Sequence, residues 1–182
     1  MAGWYEIRDV SYVSWDRSKK VDLLEWQRIR QFRTIDRLEM VDVFTKTRNR
    51  RALTQIARYF RKEFGYDFTQ FCEVPCRNET LENTVGYIFP SDQISRFGDP
   101  LAAGGCCFRL RTDIVAKDYW ALQWVWLHPY ERNRGLLTKV WPEFVRVFGD
   151  FHVEHPLSPA MRAFLEKQKN AAQIRTENAG VN

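Results

Sequence analysis

The chain has no run of about 18 consecutive apolar residues, which excludes an ordinary membrane-spanning helix. Its opening residues, MAGWYEIRDV, lack the basic-then-apolar layout of a secretory leader, so the sequence reads as that of a soluble, cytoplasmic protein. Cysteine is scarce: four thiols, Cys72, Cys76, Cys106 and Cys107, do not make a disulfide scaffold in 182 residues. Cys72 and Cys76 have a spacing that opens some zinc sites. A second ligand pair is missing, because adjacent Cys106 and Cys107 point to opposite faces of any strand and His128, His152 and His155 are scattered. No metal is therefore expected, and buried, reduced thiols are the default. Neither G-x-G-x-x-G nor the Gly-Lys-Ser/Thr loop occurs, which excludes the dinucleotide fingerprint and the nucleoside-triphosphate loop. Internal repeats and low-complexity tracts are absent as well.

What is present is the material of a packed core, with 45% apolar and 15% aromatic residues. That suffices for a single domain over residues 1–168, followed by a polar tail, 169–182, expected to be frayed. The formal net charge of +5 suits an anionic small molecule, a nucleic acid or an ordinary solvated surface.

Periodicity supplies the elements. WYEIRDVSYVSW reads as a first strand, and a helix is expected from about Lys20 to Leu38, with Ile29, Phe32, Ile35 and Leu38 at steps of three. A second helix, about Asn49 to Phe64, carries Leu53, Ile56, Ala57, Phe60 and Phe64 on one stripe and ends at Gly65. After a loop-rich segment, VGYIF alternates as a strand, PSDQISRFGDP reads as a turn, and LAAGGCCFRLR as the next strand, with Gly104 and Gly105 weakening it or marking a bulge. YWALQWVWL is apolar on both faces, as a central strand is, with Trp120, Leu122, Trp124 and Trp126 expected on one side. A helix follows with Leu137, Val140, Trp141, Phe144, Val145 and Phe148 inward, kinked at Pro142 and stopped by Gly149. FHVEHP is a short strand, and Ser158 and Pro159 open a last helix as N-cap and first residue, with Met161, Phe164 and Leu165 inward. The order implies an α/β or α+β layout, helices packing on a mixed sheet.

WVWLHPYERNRGLL, Trp124 to Leu137, carries the chemistry. A glycine between a strand and a helix lets backbone N–H groups converge on one small volume at the positive end of the helix dipole. Arg132 and Arg134 add charge at its edge, suited to phosphate oxygens.

The spacing Pro129-x-x-Arg132-x-x-Gly135-x-Leu137 after an apolar strand resembles the acetyl-coenzyme A signature of the GNAT superfamily of N-acetyltransferases. The resemblance extends in outline over most of the chain and in residue detail over about Trp120 to Lys167. It implies the acyl-CoA N-acyltransferase-like fold: a mixed, mostly antiparallel central sheet with helices on both faces. It implies acetyl-CoA as cosubstrate and an amine of a protein or small molecule as acceptor. By position, Leu127 and its neighbours would hold the pantetheine arm and the acetyl carbonyl. The backbone of Arg132, Asn133, Arg134, Gly135, Leu136, Leu137 and Thr138 would bind the pyrophosphate, and Ser158 would contact the arm. Leu137 stands where the signature has Gly or Ala, and Leu165 where the family has its thiolate-protonating tyrosine. His128, Tyr130 and Glu131 remain as acid/base candidates beside the turn. The rival reading is a binding module of the same fold without turnover. It would hold nucleic acid or a protein through the basic segment Arg28 to Lys62.

Overall fold

The structure, a computed structural model, describes residues 5–6, 33–42, 45–67, 69–72, 83–95, 100–111 and 118–179. Its strands are β1 (Tyr5–Glu6), β2 (Glu39–Val41), β3 (Thr84–Ile94), β4 (Pro100–Arg111), β5 (Tyr119–Leu127) and β6 (His152–Val153). Among the described residues its helices are α1 (Thr47–Phe64), α2 (Leu136–Phe148) and α3 (Pro159–Ala179), and a 3-10 turn spans Pro129–Glu131. The sheet runs β2-β3-β4-β5-β6, with β1 added beside β4. Every pairing is antiparallel except β5 with β6, which is parallel. The mixed, mostly antiparallel sheet with helices on both faces is thus the architecture.

Two apolar clusters flank the sheet. On one side α1 sets Leu53, Ile56, Ala57 and Phe60 against Ile88, Cys107, Trp124 and Trp126. On the other, Trp141, Phe144 and Phe148 of α2 meet Val85, Tyr87, Cys106, Phe108 and Leu122, with Met161, Phe164 and Leu165 of α3 alongside. Aromatic rings dominate this second face: Phe108 stacks on Phe148 at 4.0 Å and meets Phe144 edge-on at 5.0 Å. Cys106 and Cys107 fall on opposite faces, both buried and reduced, as their adjacency on a strand requires. Burial pushes the Cys106 thiol well above its ordinary pKa, with the neighbouring Cys107 adding to the effect.

α1 approaches the sheet closely because β3 and β4 present no side chain beneath it. A Cβ on Gly86 would collide with Leu53 Cδ2, and one on Gly105 would lie 2.9 Å from the Tyr87 carbonyl and 3.0 Å from Leu53 Cδ1. Gly104 and Gly105 pair with Phe89 and Ile88, and the bulge that the glycines were expected to mark adjoins Gly104: Ala103 is one extra residue between the pairs Phe89–Gly104 and Pro90–Ala102.

Several expectations are corrected. The helix over Lys20–Leu38 does not reach its expected end. Arg37 has φ 64°, Leu38 closes a turn onto the Ile35 carbonyl, and the unforeseen strand β2 begins at Glu39. Positions 7–32, over which the rest of that helix and most of the first strand were expected, lie outside the described residues. β3 continues through Pro90 to Ile94, where a turn was expected, with register shifts on both sides of that stretch absorbing the proline. Trp120 and Leu122 do not share a face with Trp124 and Trp126. Cys107 pairs with Trp124 and Phe108 with Leu122, so Gln123 is one extra residue, a bulge that rotates the strand. Phe64 and Val145, placed on inward stripes, are 42% and 47% exposed. α2 is continuous across Pro142, and the backbone of α3 is helical as far as Ala179. Among the described residues no helix is long and apolar enough to cross a membrane.

If the missing Cβ under Leu53 governs how closely α1 packs, Gly86→Ala costs about 1–3 kcal/mol by overpacking. Combined with Leu53→Ala, the loss should fall short of the sum of the single costs by roughly 1 kcal/mol. Urea denaturation of the four proteins measures this coupling; strictly additive costs would show that the contact does not limit the packing.

Candidate functional site

The turn after β5 is built by two left-handed residues. Asn133 has φ 61° and Gly135 φ 75°, and the second is the N-cap of α2. A Cβ at Gly135 would meet nothing within 4 Å, so the demand for glycine there comes from the backbone angle and not from crowding. The first helical bond runs from the Lys139 N–H to the Gly135 carbonyl. The N–H groups of Leu136, Leu137 and Thr138 consequently open the helix with no acceptor inside it. Gly135 offers no capping side chain, so the donors and the positive helix end are left for an anion. The Leu136 and Leu137 side chains are half-buried against the α2-face cluster, turned to packing.

Arg132 and Arg134, expected together at the edge of the cradle, behave differently. Arg134 is largely exposed and reaches Glu131 Oε2 at 3.4 Å. Arg132 points away from the turn. Its Nη2 meets Glu63 Oε2 at 2.7 Å, its Nε donates to the Leu127 carbonyl at 2.9 Å, and its guanidinium lies 5.9 Å from the Trp126 ring centre. Trp126 Nε1 donates to the same Glu63 oxygen at 2.8 Å. The last turn of α1 is thus tied to the end of β5 and to the loop that becomes the cradle. The bond from Arg132 holds the Glu63 carboxyl below its ordinary pKa; partial burial opposes this and the Trp126 donor adds to it.

The three acid/base candidates sit together on the turn. His128 is buried, its backbone N–H donates to the Ala103 carbonyl at 2.7 Å, and its Nδ1 caps the 3-10 turn by accepting from the Tyr130 backbone N–H. Glu131 is buried too, and its Oε1 accepts from the Ser91 hydroxyl at 2.7 Å. Tyr130 is 60% exposed, its ring 5.2 Å from that of His128.

A cleft of about 440 Å³ opens where β5 and β6 part. These strands pair only at Ala121 with His152 and Leu122 with Val153, and the last bond runs from the Glu154 N–H to the Leu122 carbonyl. Beyond it the Gln123 bulge turns β5 while the chain after β6 leaves toward Ser158. Phe60, Tyr66 and Trp124 line the cleft from the α1 face, Leu122, Val125 and Met161 from the α2 face, so it passes through the sheet. Ser158 is on its wall, and its hydroxyl caps α3 by accepting from the Met161 N–H at 3.2 Å. The residues of the Arg132–Thr138 turn, together with Leu127, His128, Tyr130 and Glu131, lie outside that lining. Sequence reasoning missed Tyr66 and Gln123, while Glu154, at the end of the last strand, was open to reading as a site wall or a rim position. The one available signal was a glutamine inside an otherwise apolar strand.

Cys72 is a half-buried free thiol and Cys76 lies outside the described residues; among these, no group of three or more His, Cys, Asp or Glu is placed to hold a metal ion. On the rival basic surface, Arg51, Arg58, Arg61 and Lys62 are exposed on α1, with Arg61 donating to the Tyr66 carbonyl at 3.0 Å; Arg28 is outside the described residues.

No protein-family model matches the chain, and no curated protein matches it in sequence. Solved structures similar to it include a ribosomal-protein-alanine N-acetyltransferase from Brucella melitensis biovar Abortus 2308. That protein is 13% identical, with a TM-score of 0.44 over 73% of this chain and 90% of the other. An aminoglycoside acetyltransferase from an uncultured soil metagenomic sample, solved with trehalose and with sisomicin, is 12% identical. Its TM-score is 0.41 over 73% of this chain and 84% of the other.

The depressed pKa of Glu63 has a sign. A carboxylate favoured in the folded state contributes stability above its unfolded pKa, near 4.3, and loses it as pH falls through the lower folded value. Glu63→Gln should lower the melting temperature by roughly 2–4 °C at neutral pH, the scale of about 1 kcal/mol for a half-exposed pair. That gap should close below about pH 4. Thermal melts of both proteins from neutral to acid pH measure it, and a gap independent of pH would refute the assignment.

Proposed function

We propose that the chain is a cytoplasmic GNAT-type acetyltransferase that moves an acetyl group from acetyl-CoA to an amine. The observation that carries the reading is the early parting of parallel β5 and β6. It opens a cleft through the sheet along β5, the strand whose following turn leads to a helix N-terminus with uncapped donors at Gly135. The donor set fits the cosubstrate: N–H groups of Leu136, Leu137 and Thr138, with exposed Arg134, for the pyrophosphate, and the unpaired edge of β5 beyond Leu122 for the amide-bearing arm. The Leu127 carbonyl already accepts from Arg132, so the arm would be held by β5 groups before it, with Ser158 on the facing wall.

Acetyl-CoA supplies an activated acyl carbon: the amine nitrogen forms the new C–N bond and gives up one proton, the C–S bond breaks, and the thiolate takes a proton. For these proton movements the turn supplies His128, Tyr130 and Glu131. Tyr66 is the phenol that the cleft itself presents; burial raises its pKa, which keeps the proton on the ring oxygen. It fills the chemical place left by Leu165, which is packed among apolar neighbours of the α2 face.

Acetyl-CoA at about one hundred times its dissociation constant should stabilise the fold by about 2.7 kcal/mol, raising the melting temperature by roughly 5–10 °C. Gly135→Glu, which strains a left-handed residue and sets a carboxylate at the cradle, should abolish the shift. Absence of any shift with the unaltered protein at saturation overturns cofactor binding. A shift without release of free coenzyme A across a panel of amines points to a binding module of this fold.

A further inference from the structure

The cleft through the sheet differs in character from the protein around it. In a chain of net charge +5, its lining contains no Lys, Arg or His and two carboxylates, Asp67 and Glu154. Its α1-face wall is aromatic: Phe60 stacks on Tyr66 at 5.0 Å and lies 5.8 Å from Trp124. The Tyr66 hydroxyl donates across the cleft to the Pro156 carbonyl at 3.3 Å, joining the end of α1 to the loop after β6.

Two polar groups there have unused capacity. Trp124 is only 2% exposed, yet its indole N–H has no hydrogen-bond partner among the described residues. A buried donor left unpaired costs about 1–3 kcal/mol, and a site that tolerates one gains when a ligand satisfies it. Glu154 is held by Arg111 through a single oxygen. Nε and Nη2 of Arg111 both meet Oε1, at 2.8 and 2.6 Å, so both bonds of the pair are made to that one oxygen. The ion pair thus fixes the carboxylate while leaving one acceptor oxygen for something else. Asp67, exposed at the mouth, adds a second negative charge.

From this we infer that the cleft binds a primary ammonium carried on a flat, apolar body. The body lies against Phe60, Tyr66 and Trp124, where ring faces also attract a cation. The ammonium is drawn by Asp67 and accepted by Glu154 Oε2, and Trp124 Nε1 donates to an oxygen or π face of the ligand. A volume of about 440 Å³ is within the range of small-molecule sites and too small for a folded partner. The amine takes the α1-face half of the cleft, by Phe60, Tyr66 and Trp124, and leaves the half by Val125, Met161 and Ser158 to the arm. The inference deepens the acetyltransferase reading, on which only its interpretation as the acceptor site rests; binding itself needs no acetyl-CoA.

The probes are 2-phenylethylamine, its neutral isostere 2-phenylethanol, and 3-phenylpropionate, titrated by calorimetry and ligand-observed NMR without cofactor. The ammonium should bind saturably, the alcohol about tenfold more weakly, in keeping with the loss of a charge-assisted bond, and the carboxylate not at all. Asp67→Asn, at an exposed position that the fold does not need, and Glu154→Gln should each weaken the ammonium and leave the alcohol unchanged. Trp124→Phe should weaken all ligands that offer an acceptor. Equal affinity for ammonium and alcohol, or no saturable binding of the amine by the unaltered protein, overturns the proposal. Amine binding without any acetyl-CoA thermal shift keeps this inference and defeats the acetyltransferase reading; a cofactor shift without amine binding does the reverse.

Discussion

Gln123 is one residue more on β5 than β4 can pair, and the functional geometry depends on how that excess is absorbed. A bulge leaves the extra residue out of the ladder and increases the local twist. The twist carries Trp124 and Trp126 toward α1 while Leu122 stays with α2, so one strand contributes large rings to both cores. It also directs β5 away from β6 immediately after their two paired residues. Without it, parallel pairing would close the sheet and leave no passage between the faces.

Around this opening the fold places a tie at each end. At the far end of β5, Glu63 gathers Arg132 and Trp126 on one carboxylate oxygen, linking α1 to the loop that becomes the cradle. At the near end, Tyr66 meets the Pro156 carbonyl and Arg111 meets Glu154, linking α1 and β4 to the segment after β6. Both groups of contacts are partly solvated, so each is worth modest energy by itself. Their effect is geometric: they set where the wall of the cleft and the N-terminus of α2 stand relative to a rigid aromatic core. Arg132 thereby serves position, and at the turn itself stand the uncapped backbone donors and the exposed Arg134.

Much of the architecture was legible because it rests on short-range patterns. The stripe of Leu53, Ile56, Ala57 and Phe60, the Gly65 stop, the doubly apolar β5 and the Ser158 cap are consequences of local periodicity and hydrogen-bonding chemistry. What escaped is non-local. β2 is three residues long and exists only because Met40 and Val41 find Tyr87 and Gly86 on β3. Pro90 reads as a turn, yet β3 continues past it because register shifts remove the need for its N–H. Gly105 of β4, read as a weak point, forms with Gly86 of β3 the floor on which Leu53 packs.

For the candidate site the division is equally physical. The sequence by itself determined that a left-handed glycine follows an apolar strand and precedes an amphipathic helix. Those three facts set a row of uncapped N–H donors at Leu136–Thr138, because backbone geometry and dipoles act over a single turn. Only the tertiary structure decided which way Arg132 points, that His128 and Glu131 are buried in turn contacts, and that Tyr66, Trp124 and Glu154 meet around one cleft. The pairs Arg132–Glu63 and Tyr66–Pro156 join residues 69 and 90 positions apart, and they arise from how two helices and a bulged strand pack, which no local spacing encodes.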